Sequence, residues 1–129
     1  MRKNSEDPER LLHQKRINSE ELERALKARE KGEISFLLVD VREVHEYVSG
    51  HIAGVDMLLP TTQFEAWATT VLERYRDKTI VLTCRTSNRT AQVQEMLVQM
   101  GMKHVVDHVG GIVTYTGKIE QGSQEVQGV

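Results

Sequence analysis

The sequence predicts an α/β fold in which helices cover both faces of a parallel sheet, and three observations support this prediction. A short continuous apolar run at 36–41 is expected for a strand that is buried on both faces, and short runs rich in apolar residues predict further strands at 55–60, 79–83 and 104–109. Segments with apolar residues at helical spacing lie between these runs. The two patterns alternate along the chain, which is typical of parallel strands joined by crossover helices.

The first predicted helix lies in segment 17–32 and carries signals at both ends. Asn18 and Glu21 have the spacing of a capping box, in which each side chain accepts a hydrogen bond from the other residue's backbone. Gly32 is suited to end the helix, because glycine readily adopts the left-handed backbone that follows a last turn.

Further helices are predicted from apolar spacing at 42–50, 61–77 and 88–101, followed by a final turn or short helix at 110–117. In the second of these, Thr62 and Glu65 have the spacing of another capping box. Gly101 is expected to end the third.

The composition limits the classes of function. The chain has 129 residues, which fits one domain, and a formal net charge of −2, which gives no general reason to expect a nucleic-acid or membrane partner. The five histidines lack metal-ligand spacing, so no metal is expected. The polar N-terminus does not resemble a secretory signal, and no apolar run has membrane-spanning length. We therefore expect a cytoplasmic protein.

The polarity of the two ends suggests a division of the chain. Residues 1–16 are polar and mixed in charge, and we expect a loose leader there, with at most a helical turn. The predicted domain covers 17–120. The polar tail at 121–129 is expected to be frayed.

The stretch TIVLTCRTSNRTA, at 79–91, contains the chain's single cysteine, Cys84, directly after a predicted strand. In parallel α/β sheets, ligands bind where strands end and loops lead into helices. Loop amides and a helix N-terminus there can stabilise a thiolate or bind an anion. Segment 78–94 also carries Lys78, Arg85 and Arg89 and no acid. The alternative is that Cys84 is a small buried apolar residue and that the arginines are solvated surface charges.

Three segments of the chain resemble the single-domain rhodanese sulfurtransferases. DVREVHEYVSGHIAGV, at 40–55, is similar to that family's long signature D-x-R-x-x-x-E-(F/Y)-x-x-G-H-I-x-G-(A/V). CRTSNR, at 84–89, resembles its active-site loop, in which four residues separate cysteine from arginine. GGIVTYTG, at 110–117, is similar to its C-terminal segment. The segments occur in the family's order, and the resemblance spans roughly residues 17–117. It implies a rhodanese-like fold with about five parallel strands.

The resemblance also implies a reaction, the transfer of sulfane sulfur from an anionic donor such as thiosulfate to cyanide or a thiol. Cys84 would be the nucleophile and would carry an exposed anionic persulfide, and no organic cofactor or metal would be needed. The backbone of the loop would bind the persulfide, through Arg85, Thr86, Ser87, Asn88, Arg89 and Thr90. Arg85 and Arg89 would also attract the anionic donor.

Supporting roles follow for residues of the 40–55 segment. Arg42 and Glu46 are four residues apart on a predicted helix, which suits an ion pair. Asp40, at the end of its strand, is expected to brace the neighbouring loop. We expect His51 to be packed and hydrogen-bonded rather than a general base.

Two positions depart from the family's pattern. Ser87 stands where the family often has glycine, so if the backbone there has a positive φ, serine costs about 1 kcal/mol. Tyr115 stands where many members have tryptophan, which retains an aromatic ring.

Two alternative functions remain. One is a persulfide carrier or regulatory binding module that exchanges sulfur with a donor or acceptor protein through the same thiol. The other is a phosphatase of the same fold, but that group has five residues between cysteine and arginine, and this loop has four. The shorter loop disfavours the bulkier phosphate.

Overall fold

Five parallel strands form the central sheet of the computed structural model, which describes residues 7–122 and residue 128. The order across the sheet is β1-β6-β5-β2-β4, and β3 pairs with β7 in a separate antiparallel ribbon. The strands are β1 (Arg16–Ile17), β2 (Leu37–Asp40), β3 (His51–Ile52), β4 (Met57–Leu58), β5 (Thr79–Thr83), β6 (His104–His108) and β7 (Ile119–Glu120).

Helices connect the strands and cover both faces of the sheet. They are α1 (Pro8–Leu11), α2 (Ser19–Glu30), α3 (Val44–Ser49), α4 (Phe64–Tyr75) and α5 (Asn88–Met100). Two short 3-10 helices, at Thr61–Gln63 and Ile112–Thr114, precede α4 and follow β6.

Alternation along the buried strands divides the core into two layers. Val39 and Leu82 pack in the same cluster as residues of α4 and α5, whereas Leu38 and Val81 pack in the same cluster as residues of α1 and α2. Successive strand residues point to opposite faces, so a strand that is covered on both sides reads as a continuous apolar run. The predicted fold class is confirmed.

The predicted ends of α2 are also confirmed. The Asn18 side chain accepts a hydrogen bond from the Glu21 backbone N–H, and Glu21 Oε1 accepts one from the Asn18 N–H, both at 2.8 Å. Gly32, with φ +79°, follows the helix and allows the chain to turn away from it.

The predicted capping box at the start of α4 is wrong. A 3-10 turn at Thr61–Gln63 precedes this helix, and Gln63 takes the cap position without a side-chain cap bond. This turn moves Thr62 away from the cap, and its hydroxyl donates instead to Glu43 Oε2 at 2.8 Å.

The described part of the predicted leader is folded onto the domain. Leu11 and Leu12 are buried in the core layer below α2, and β1 pairs in parallel with β6. The boundary predicted at residue 16 therefore falls inside β1, which is too short to produce an apolar run. Most of the predicted frayed tail, residues 123–127 and 129, lies outside the described residues.

Over residues 7–122, none of the helices is both long enough and apolar enough to cross a bilayer.

Candidate active site

Cys84 follows the last residue of β5, at the carboxyl end of a central strand. β5 lies between β2 and β6, so the loop that leaves it emerges in the middle of the sheet. The Cys84 carbonyl accepts a hydrogen bond from Ile112 N–H at 2.8 Å, which ties the loop to the segment after β6. Gly111 permits this contact, because a side-chain carbon there would lie 2.6 Å from the Cys84 carbonyl oxygen.

The thiol of Cys84 is hydrogen-bonded but covered. The Ser87 backbone N–H donates to Sγ at 3.0 Å, and the thiol donates to Thr90 Oγ1 at 3.8 Å. Cys84 is only 1% exposed, so the expectation of an exposed sulfur is not met in this state. The sulfur is covered because the loop turns back over it and α5 begins only four residues later.

Ser87 has a left-handed backbone, as the comparison with the family's glycine indicated. Its φ is +88°, and no other non-glycine residue between 7 and 122 has a positive φ. This conformation costs a residue with a side chain about 1 kcal/mol. It accompanies the turn that directs the Ser87 N–H toward Sγ, so the strain lies at the contact with the sulfur.

We expected Arg89 to attract an anionic donor. Its side chain instead forms an ion pair with Glu46 of α3. Its two guanidinium nitrogens donate to the two carboxylate oxygens at 2.8 and 3.0 Å. The hydrogen bond from Arg89 lowers the pKa of Glu46 to about 2. The pair joins the first turn of α5 to α3 and holds a positive charge near the loop.

The predicted pair between Arg42 and Glu46 is wrong. Arg42 precedes α3, so helical spacing does not apply, and Glu46 bonds to Arg89 and to the Glu43 backbone. Arg42 instead donates to Asp40 Oδ2 at 2.8 Å and to the Gly50 carbonyl at 2.7 Å. The Asp40 side chain thus holds Arg42, and over residues 7–122 it makes no hydrogen bond to the Cys84 loop.

The remaining loop residues form the outer rim. Arg85, Thr86 and Asn88 are exposed. Within the part of the chain that the structure describes, the Arg85 side chain has no hydrogen-bond or ion-pair partner. Arg85 is therefore a cation near the sulfur that remains available to a ligand.

The sequence analysis missed a carboxylate on the other side of the thiol. Thr90 Oγ1 donates to Asp107 Oδ1 at 2.6 Å, and Asp107 is only 2% exposed. Burial raises the pKa of Asp107 above its ordinary value. The available signal was the one acid within the strand segment HVVDH.

Two buried histidines are held by hydrogen bonds to groups other than the thiol. His108 is completely buried, between Thr83 Oγ1 at 2.9 Å and Ser19 Oγ at 2.8 Å, and burial lowers its pKa to about 4. His51, as predicted, is packed and hydrogen-bonded: it stacks on the Tyr47 ring at 3.7 Å and bonds to the Tyr47 carbonyl.

Comparison with known proteins agrees with the fold. The sequence model of the Rhodanese-like domain family matches residues 20–118. The chain is 30% identical over 96 residues to the Bacillus subtilis (strain 168) protein named "Putative sulfur carrier protein YrkF", covering 74% of this chain and 50% of that protein. It is 31% identical over 84 residues to a chloroplastic Rhodanese-like/PpiC domain-containing protein 12 of Arabidopsis thaliana, covering 64% and 28% of the two chains. It therefore spans half or less of these two relatives.

A solved structure gives the same result for the fold. The crystal structure of a rhodanese-related protein from Thermoplasma volcanium superposes with a TM-score of 0.62 at 30% identity, over 77% of this chain and 87% of that one. The chain belongs to the Rhodanese-like domain family.

Proposed function

We propose that this protein transfers sulfane sulfur through a persulfide on Cys84. The observation that carries the proposal is the Ser87 N–H, which lies 3.0 Å from Sγ at the N-terminus of α5. A backbone donor and a helix N-terminus stabilise negative charge on sulfur, and the Arg89 guanidinium adds a fixed positive charge close by. Family membership supports the same chemistry.

The proposed reaction has two displacements. In the first, the Cys84 thiolate attacks the outer sulfur of a donor such as thiosulfate, a new S–S bond forms, the donor's S–S bond breaks and sulfite leaves with the electron pair. In the second, an acceptor such as cyanide or a thiolate takes the outer sulfur, and the Cys84 thiolate is restored. The cycle needs no net oxidant or reductant.

Arg85 is the residue best suited to attract an anionic donor. It is exposed and unpaired within the described residues, whereas the guanidinium of Arg89 is already hydrogen-bonded to Glu46. Because Cys84 is covered, the exposed rim at Arg85, Thr86 and Asn88 must shift before a donor reaches Sγ. The loop amides that do not contact Sγ are then available to the outer sulfur of the persulfide.

A persulfide carrier is the second candidate, and two observations favour it. The thiol is covered, which protects a persulfide between transfers, and the Bacillus relative is named as a sulfur carrier. A carrier would exchange sulfur with a partner protein and turn over small donors slowly. Chemistry at Cys84 is the same in both cases, so the two differ in rate and partner.

Intact-protein mass spectrometry tests the shared chemistry. After incubation with thiosulfate, the protein is expected to gain one sulfur atom, and added cyanide is expected to remove it. A protein that never gains sulfur, from thiosulfate or from the persulfide of a cysteine desulfurase, would overturn the proposal. Multiple turnovers with thiosulfate and cyanide identify the enzyme, and fast loading only from the desulfurase identifies the carrier.

A further inference from the structure

Cys84 is the first member of a buried chain of three polar side chains. The thiol donates to Thr90 Oγ1 at 3.8 Å, and the Thr90 hydroxyl lies 2.6 Å from Asp107 Oδ1, to which it donates. The chain crosses from β5 through the first turn of α5 to β6. The Thr90 hydroxyl also lies 3.0 Å from the Ser87 carbonyl oxygen, but the Asp107 carboxylate is the nearer acceptor, so donation runs from sulfur to carboxylate.

The two end members of this hydrogen-bonded series, Cys84 and Asp107, are closed to solvent. Cys84 is 1% exposed and Asp107 is 2% exposed, so a proton that leaves the thiol has no direct route to water. Attack on a sulfur donor nevertheless requires a thiolate. A thiol that ionises while it is still covered therefore needs an acceptor inside the protein, and Thr90 connects it to one.

Asp107 is suited to accept a proton. Over residues 7–122, the Asp107 carboxylate accepts one hydrogen bond, from the Thr90 hydroxyl. An ionised carboxylate has room for about four such bonds. A carboxylate that is buried with so few donors is destabilised relative to the neutral acid. Burial accordingly raises the pKa of Asp107.

We propose that Asp107 is the internal proton acceptor for Cys84 and acts through Thr90, so that the thiolate forms without release of a proton to solvent. The thiol proton passes to Thr90 Oγ1, and the proton already on Thr90 passes to Asp107 Oδ1. The negative charge moves from the carboxylate to the sulfur, and both hydrogen bonds reverse direction. Asp107 is thus a positioning residue for the proton, and its role in sulfur transfer rests on the proposed function.

Charged and polar groups act at both ends of the Cys84–Thr90–Asp107 series. Ser87 N–H donates to Sγ, and the Arg89 guanidinium, paired with Glu46, acts on Cys84 through its charge. From β1, Arg16 lies opposite Asp107 and favours its ionised form. His108, the next residue of β6, has a pKa of about 4 and is neutral at higher pH.

The ultraviolet absorbance of the thiolate tests this proposal directly, because Cys84 is the only cysteine and Cys84→Ser supplies the blank. Two coupled groups lose their protons in two steps. The wild-type thiolate fraction is expected to rise with the first step, stay constant over about 2 pH units and rise again with the second. In Asp107→Asn the thiolate fraction is expected to rise in a single step. On the low-pH side of that step, it should increase about tenfold per pH unit.

The carboxyl carbon resonance of Asp107 provides a second measurement that does not depend on the Asp107→Asn variant folding. It is expected to titrate in two steps in the wild type and in one step in Cys84→Ser. A single thiolate step in the wild type, or the same thiolate profile in the wild type and Asp107→Asn, would overturn the proposal.

Thr90 variants test the connection. At a pH on the thiolate plateau, Thr90→Val is expected to slow single-turnover sulfur loading on the order of a hundredfold, and the matched Thr90→Ser is expected to retain most of the rate. Equal loading by Thr90→Val and wild type would contradict a role for the hydroxyl. If neither the wild type nor any variant loads sulfur but the two-step titration is present, the proposed function fails. The proposal that Cys84 and Asp107 share a proton then still stands.

Discussion

The N-termini of α2 and α5 differ in how their polar groups are hydrogen-bonded. Both helices follow a strand of the central sheet, and both begin with backbone N–H groups that have no partner within the helix. At α2, Asn18 and Glu21 satisfy two of these groups reciprocally. At α5, Ser87 makes no side-chain cap bond, and its own N–H donates to Cys84 Sγ.

The charged residues in the first turn also differ between α2 and α5. The first turn of α2 carries Glu20 and Glu21, which complement the positive end of the helix dipole. The first turn of α5 has no acid and carries Arg89, whose charge is held by Glu46 of a different helix. A helix end that is capped by its own residues is closed to a ligand, and one that is left uncapped is available to an anion.

Among the substitutions that test this difference between α2 and α5, replacement of the Cys84 sulfur is expected to have the largest effect on sulfur loading. Cys84→Ser is expected to lose sulfur loading completely, because a hydroxyl does not hold sulfane sulfur, while the fold is retained. Intact mass after incubation with thiosulfate measures this, and circular dichroism checks the fold. Any sulfur gained by the variant would show that Cys84 is not the acceptor.

Removing the exposed cation near α5 should weaken donor binding. Arg85→Ala is expected to raise KM for thiosulfate about tenfold with little change in kcat, because the Coulomb attraction acts on the charged donor before and during attack. Arg24→Ala, which removes an exposed arginine from α2, is the matched control and should leave KM unchanged. An equal response of the two variants would contradict a role for Arg85.

Breaking the ion pair at α5 should cost stability. Glu46→Gln is expected to lower the free energy of unfolding by about 1–3 kcal/mol, because the Arg89 guanidinium loses a charged partner. The folded-state pKa of Glu46, about 2, lies below its ordinary value of 4.5. The pair's contribution is therefore present above about pH 4.5 and is lost as the pH falls toward 2.

Urea unfolding at several pH values measures this contribution. The variant should lack the part of the wild type's acid sensitivity that arises between these limits. Glu21→Gln is the control at α2, since glutamine also completes a capping box. A Glu46→Gln protein that loses stability with acid as steeply as the wild type would argue against the pair.

Removing the cap of α2 should affect stability alone. Asn18→Ala is expected to lower the free energy of unfolding by about 1 kcal/mol and to leave sulfur loading unchanged, whereas Asn18→Ser should retain the cap. Thermal unfolding and intact mass measure the two effects. A loss of loading in a folded Asn18→Ala protein would mean that the two helix ends are coupled.

The smallest effect is expected at the strained residue of the loop. Ser87→Gly should raise the free energy of unfolding by about 0.5 kcal/mol, because relief of the left-handed backbone is partly offset by the greater entropy of glycine when unfolded. Ser87→Ala keeps the side-chain carbon and should give no gain. Urea unfolding compares the three proteins, and a less stable glycine variant would contradict a positive φ in solution.

Several features could be predicted because their signals are local. Strand β5 forms over the same residues as its apolar run, and the capping box of α2 depends on two side chains three positions apart. The position of Cys84 after β5 followed from the same run. The left-handed Ser87 was indicated by the family's glycine, since backbone conformation at a tight loop is recorded in the residue type.

Other features gave no usable signal in the sequence. The two-residue strands β1, β3 and β7 are too short for periodicity to be detected. Their pairing partners lie far away in the chain, so the sheet edge and the antiparallel ribbon form only when the domain folds.

The sequence by itself determined the layered α/β architecture, the strand that presents Cys84 and the helix that follows it, because burial and capping depend on neighbouring residues. Tertiary structure alone decided which charges pair, that Glu46 holds Arg89 across 43 positions, and that Asp107 reaches the thiol through Thr90. It also decided that the sulfur is covered. Contacts between distant segments depend on how elements pack, and several arrangements of the same charges are compatible with one local pattern.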